Sequence, residues 1–191
     1  MRNKCFGIDT QAMSIDIKSA DIHNVKMTGE IKDEIYKNGK LVDTIIGHNL
    51  VVNSFLKLVM ALFANTDGYT GIEYWAVGSG EDSWDSNLPS PEENASRLTN
   101  EIGRVPIDQS EIKFLLEDNT ESQTPTNIIQ IKHTFDTNDC NGPWREFSIF
   151  GGNATSEANT GIMINKRHHA VTYKTDEMVV TRTMKFTLTL L

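Results

Sequence analysis

MVVTRTMKFTLTL, Met178–Leu190, alternates with a period of two from end to end. One face holds Met178, Val180, Arg182, Met184, Phe186, Leu188 and Leu190. The other holds Val179, Thr181, Thr183, Lys185, Thr187 and Thr189. Alternation over this length is the pattern of a strand with one buried and one solvated face. Arg182 is the only charge on the apolar side.

Working back from this strand, the same grammar recurs. GPWREFSIFGG (Gly142–Gly152), IIQIKHTF (Ile128–Phe135), EIKFLLE, EIGRVPI and the aromatic run GIEYWAV (Gly71–Val77) are short apolar segments between turn-rich connectors, and IMINKRHHAVTY is another. SIDIKSADI sets Ile15 and Ile17 against Ser14, Asp16 and Lys18. EIYKNGKLVDTII reads as a hairpin over about Glu30–Ile46, because Asn38-Gly39 suits a type I′ turn. The period then changes. HNLVVNSFLKLVMALFAN puts Val51, Phe55, Leu58, Val59 and Leu62 on one helical face, widened by Leu56, Met60 and Phe63. This predicts a largely buried helix over about 50–64, capped by His48 or Asn49 and stopped near Gly68.

Eight to ten strands and one helix give a mainly β fold, an antiparallel β-sandwich with one packed α-helix. Residues 1–48 read as an N-terminal strand and hairpin region suited to assembly contacts, and 49–191 as the sandwich, in one compact domain overall. The polar stretch 78–100, with Pro89 and Pro91, is long for a loop and reads as functional or as an interaction arm.

Composition narrows the function. The chain has 191 residues, 26 acidic against 18 basic, and a formal net charge of −8. That balance argues against coating nucleic acid, which rests on Lys and Arg. The longest apolar run, Phe55–Ala64, is interrupted by Lys57 and too short to span a bilayer. No secretory signal is read at the start. Cys5 and Cys140 have neither a zinc nor a disulfide-framework spacing.

No catalytic motif emerges. Gly78-Ser79-Gly80 follows a strand, but no Lys-Ser/Thr follows, so it reads as a turn. Glu81, Asp82 and Asp85 cluster around Trp84, without the ordered spacing of a calcium loop. They are read as a candidate interaction loop. His168 and His169 are strand neighbours that point to opposite faces and cannot grip one metal ion. Cys140 lies beside Asp139, which raises a thiol pKa. No metal, cofactor or catalytic residue is expected. Trp75, Trp84 and Trp144, with Tyr69 and Tyr74, are the candidate sugar-stacking aromatics, Trp84 first among them.

The stretch Gly142–Gly152 carries Arg145 and Glu146 in its middle. Strict alternation puts Arg145, Phe147 and Ile149 on one face and Trp144, Glu146, Ser148 and Phe150 on the other. A Glu146 buried among aromatics needs a cationic partner. Arg182 is the preferred one, as a structural ion pair, with Arg104 and Arg97 as alternatives. Gly151-Gly152 reads as a chain reversal with positive φ.

Five segments, in order, resemble bacteriophage tail-fibre and tail-collar structural proteins. They are NLVVNSFLKLVMALFA, IEYWAVGSGE, NEIGRVPI, WREFSIFGG and TRTMKFTLTLL, spanning about Asn49–Leu191. Phe147 and Ser148 depart from the smaller aliphatic-glycine pair more usual in that family, and the first 48 residues are not covered. The resemblance implies a non-enzymatic virion component made in the host bacterial cytoplasm, a homo-oligomer docked on other virion proteins, with no active site to transfer. Alternative readings are a capsid decoration protein and a receptor- or glycan-binding module whose partner is a host-surface glycan. Nucleic acid and membrane are not expected partners.

Overall fold

The computed structural model describes residues 25–190. The alternating segment around Ile15 and Ile17 lies outside the described residues. Eleven strands and one α-helix follow in chain order: β1 Val25–Lys37, β2 Lys40–Val51, α1 Ser54–Phe63, β3 Thr70–Gly78, β4 Glu101–Pro106, β5 Ile112–Leu115, β6 Glu121–Ser122, β7 Ile128–Phe135, β8 Gly142–Gly152, β9 Ile162–Met163, β10 Asn165–Lys174 and β11 Met178–Leu190. The strands form one antiparallel sheet in the order β4-β3-β8-β10-β2-β1-β11-β7-β5-β6, with β9 on β8. The fold is mainly β, as the alternation predicts.

The sheet has two halves joined at a corner. β2 and β10 pair only through Val51 with Asn165 and Leu50 with Lys166. The halves share one core. Ile31 and Ile35 of β1, Ile131 and Phe135 of β7, and Val180, Met184 and Phe186 of β11 cluster with Trp75 and Val77 of β3 and Trp144, Phe147 and Ile149 of β8. Trp75 meets Phe135 edge-on with ring centroids 6.4 Å apart, and Phe135 meets Trp144 at 5.0 Å.

The β1–β2 hairpin turns at Asn38 and Gly39, whose φ angles of 50° and 71° are those of a type I′ turn. β1 is not an appendage: it pairs with β11 over its whole length, Val25 opposite Leu190 to Lys37 opposite Met178. Residue 48, the expected border of an N-terminal region, falls within β2.

Arg182 occupies the middle of the core. Its Nε and Nη2 donate to Oδ1 and Oδ2 of Asp33, both at 2.7 Å. Asp33 is its register partner on β1. The guanidinium carbon lies 4.0 Å from the Phe147 ring centroid and 5.4 Å from that of Trp144. The expected Glu146–Arg182 pair is therefore corrected. Each residue is in a buried ion pair, but with a different partner, because β1 and not β8 lies beside β11.

Four further expectations change. The helix starts at Ser54, because β2 continues through Leu50 and Val51 and takes in His48 and Asn49; Asn53 is the N-cap. Only Leu58 of α1 is buried, against an expected broad buried face. β8 breaks alternation: Trp144 joins Phe147 and Ile149 in the main core, while Phe150 belongs to a second cluster with Ala76, Leu98 and Met163. The β8–β10 register shifts between His168 and Thr172, so three β10 residues lie opposite Arg145. Gly152 has φ +71°, whereas Gly151 is required for space: a Cβ there would collide with the Gly71 carbonyl.

Candidate functional site: a charged clamp beneath residues 79–100

Every residue of β8 from Trp144 to Gly152 is buried, although one half-sheet face covers only one side of it. The other side is covered by the long polar stretch predicted as an arm. It folds back over its own sheet and is held there by the two charges of the Arg145-Glu146 pair.

Arg145 holds the first part. Its Nε and Nη2 donate to Oδ1 and Oδ2 of Asp85, both at 2.8 Å, and Nη1 donates to the Ser79 carbonyl at 3.0 Å. Asp82 adds a contact at 3.0 Å from an almost fully solvated position. The guanidinium holds the Asp85 carboxyl below the usual carboxylate range, and Asp85 in turn raises the pKa of Arg145. Glu146 holds the end of the same segment. Its Oε1 accepts from the Asn100 N–H at 2.9 Å, and its Oε2 lies 3.2 Å from Lys166 Nζ. Lys166 also donates to the Arg97 carbonyl at 3.2 Å. Both β8 charges thus reach the same covering segment, which is possible only where the strand departs from alternation.

Between these two anchors Trp84 packs on His168, with ring centroids 4.2 Å apart and the planes tilted by 33°, and His168 Nδ1 bonds the Pro89 carbonyl at 2.9 Å. Since a carbonyl only accepts, Nδ1 carries the hydrogen. Nε2 faces Glu146 Oε2 at 3.9 Å. Leu98 is fully buried further along. The Gly78-Ser79-Gly80 turn makes room for the clamp: a Cβ on Gly78 would sit 2.7 Å from Glu146 Oε1, and one on Gly80 2.5 Å from the Trp84 ring.

A second network secures loop 153–161. Arg104 makes a two-pronged pair with Glu101 at 2.6 and 2.9 Å and donates to the Thr155 carbonyl at 2.7 Å. Glu101 also accepts from Asn159 N–H at 2.7 Å. Arg104 and Arg97, the alternative partners for Glu146, are therefore engaged differently, Arg104 by its side chain and Arg97 by its carbonyl.

The predicted site residues are thus brought together in part. Glu146 and the loop residues Asp82, Trp84 and Asp85 meet around Arg145 and His168; Glu81 stays exposed and accepts from Ser83. Arg182 lies in the core, on the other side of β8. Trp75 is fully buried and Trp84 nearly so, so they share no exposed groove for a sugar. Asp82 and Asp85 turn onto Arg145, and the described residues contain no group of three or more side chains that could hold a metal. His169, opposite to His168, packs against Phe147. The Cys140 thiol is pushed up to about 11, by burial first and Asp139 second, which leaves it protonated and unreactive near neutrality. Lys166 is the functional residue that the sequence did not single out. Its signal is its position, two residues after Ile164 in an apolar alternation.

Compared with protein families, curated proteins and solved structures, the chain gives no match to any of them.

Glu146→Ala leaves Lys166 buried without its carboxylate and the Asn100 N–H unpaired. It is expected to cost about 3–5 kcal/mol in denaturant unfolding. Glu146→Ala combined with Lys166→Met should recover most of that loss; no loss in the single variant contradicts the clamp. Acid should weaken the fold in a defined window. Burial, aided by the Arg182 and Arg167 charges, pushes His169 down to about 4, while Asp33 and the Ala170 carbonyl oppose the shift. An unfolded histidine titrates near ~6.5. Between these values the unfolded chain binds a proton that the folded chain excludes. The stabilisation is complete above about pH 6.5 and falls away towards about pH 4, by roughly 3 kcal/mol. His168, also lowered by burial, acts in the same direction. Unfolding in urea across this range measures the slope, and His169→Gln should flatten it.

Proposed function

We propose that the chain is a non-catalytic structural subunit of a bacteriophage particle or phage-derived injection machine. In this reading it is a tail-fibre, baseplate or collar component that forms a homo-oligomer and docks on other virion proteins. The observation that carries the proposal is the free side of β2. Among the described residues this strand pairs with β1 alone from Lys40 to Asn49, and its contact with β10 begins only at Leu50. Leu41, Val42 and Ile46 are exposed along it, Ile46 to 75%. A long unpaired strand with apolar side chains and no proline invites a further strand, through backbone hydrogen bonds and apolar contact together.

The resemblance in sequence gains a spatial sense. IEYWAVGSGE is β3 with its turn, NEIGRVPI is β4 and WREFSIFGG is most of β8. These three strands are neighbours in the order β4-β3-β8. Three of the five segments thus lie in one half-sheet beside the clamp, while the other two fall on the end of β2 with α1 and on β11. The arrangement supports a rigid framework rather than a mobile active site: the buried charges of β8 are used to hold a covering segment and leave no open face for a substrate. Among the described residues no helix is long and apolar enough to cross a membrane.

The purified chain is expected to be oligomeric by light scattering, and Val42→Lys with Ile46→Lys to shift it toward monomer while its far-UV circular dichroism stays that of the folded parent. A strict monomer that recovers no partner from particles contradicts the proposal.

A further inference from the structure

At the end of the sandwich where β1 begins, the two halves do not close. A groove of about 450 Å³ runs between α1 and the half-sheet edge, lined among others by Met27, Phe55, Leu62, Ile72, Phe114 and Ile129. It continues past Met27 to Leu56 and Leu188. On its rim α1 presents Leu56, Met60 and Phe63 to solvent, with Phe63 exposed to 78%. These positions lie four and three residues apart, so they form one stripe along the helix. Lys57 is the only charge on α1. An exposed apolar patch of this kind marks a surface that something covers.

We infer that the groove is the docking site of the chain's own residues 1–24, in the same molecule. This rests on where the described chain begins. Val25 enters β1 only two residues before Met27, which lines the groove, so the preceding residues emerge at its rim. Their composition fits an apolar, weakly charged trough. Phe6, Ile8, Met13, Ile15, Ile17 and Ile22 supply apolar side chains, and Arg2, Lys4 and Lys18 balance Asp9, Asp16 and Asp21. Reach is sufficient. The eight residues from Ile17 to Val25 span up to about 26 Å when extended, against about 15 Å for the ten-residue helix. Attachment at the rim also makes docking intramolecular, with a high effective concentration. The strict alternation of Ile15 and Ile17 then has a use: one row of side chains enters the groove and the polar row remains in water.

Hydrogen exchange on the full-length chain tests this, read by mass spectrometry at several protein concentrations. Peptides from residues 13–22 should exchange at least tenfold more slowly than an unstructured chain, equally at all concentrations. Ile15→Asp with Ile17→Asp should abolish that protection and speed exchange in α1. Phe63→Glu, at a solvent-facing position of the helix, should do the same to residues 13–22. Three results overturn the inference: exchange of residues 13–22 at unstructured rates, protection that appears only as concentration rises, which makes a second copy the occupant, and protection indifferent to Phe63→Glu. The β2-edge variants do not touch this groove, so failure here leaves the assembly proposal standing.

Discussion

The buried ion pair between Asp33 and Arg182 is the constraint on which the rest of the fold depends. A guanidinium in an apolar core is several kcal/mol unfavourable unless it is neutralised and hydrogen-bonded. Here it has a carboxylate on the neighbouring strand and the faces of Phe147 and Trp144 on the opposite half. The pair fixes register. Sliding β1 by one residue would bring Lys32 or Glu34 opposite Arg182 and turn Ile31, Asp33 and Ile35 to the solvent. It also ties the layers, since the same guanidinium sits against β8. Its charge reaches His169, which it helps to keep neutral.

Around this centre the other charges form successive layers toward solvent. Glu146 and Lys166 hold the covering segment to the outer face of β8, and Arg145 with Asp85 closes its rim. Arg104 and Glu101 secure the adjoining loop. In the innermost pair Arg182 is wholly enclosed and Asp33 nearly so, while Asp85 is exposed and screened, so its contribution is to position the segment more than to stabilise the domain. This gradient explains how a stretch with few apolar side chains stays folded. Trp84 and Leu98 supply apolar anchoring, and charge-assisted hydrogen bonds satisfy the strand beneath it.

Much of this was legible in the sequence because it is local. The alternation of Met178–Leu190, the Asn38-Gly39 turn and the apolar run of α1 each report their own conformation. Non-local pairings were not legible. Glu146 finds Lys166 only because β8 and β10 are adjacent and their register shifts, and no spacing along the chain encodes that. The Asp33–Arg182 pair left a readable trace all the same. Asp33 interrupts Ile31 and Ile35 as Arg182 interrupts Val180 and Met184. Two opposite charges, each alone on the apolar face of a strand, are candidates for one another. Helix exposure was misjudged for a different reason. Hydrophobicity on several faces of α1 says that the surface is covered, not that this domain's own sheet covers it. The 78–100 segment is polar, and its packing onto the sheet was not legible, since its charges are matched by charges on β8 that a reading of the segment alone cannot see.

Among the described residues the fold therefore combines a closed, charge-locked centre with two apolar margins, the β2 edge and the α1 groove. The closed centre gives a platform stiff enough for contacts at its margins to be geometrically defined. The most direct test of the lock is the unfolding free energy of Asp33→Ala, set beside the double variant Asp33→Leu with Arg182→Met. The account predicts a loss of about 3–5 kcal/mol in the single variant and near-native stability in the double, since a buried pair is worth more as a matched set than as a lone charge. A single variant within about 0.5 kcal/mol of the parent, as at an ordinary surface position, would contradict it.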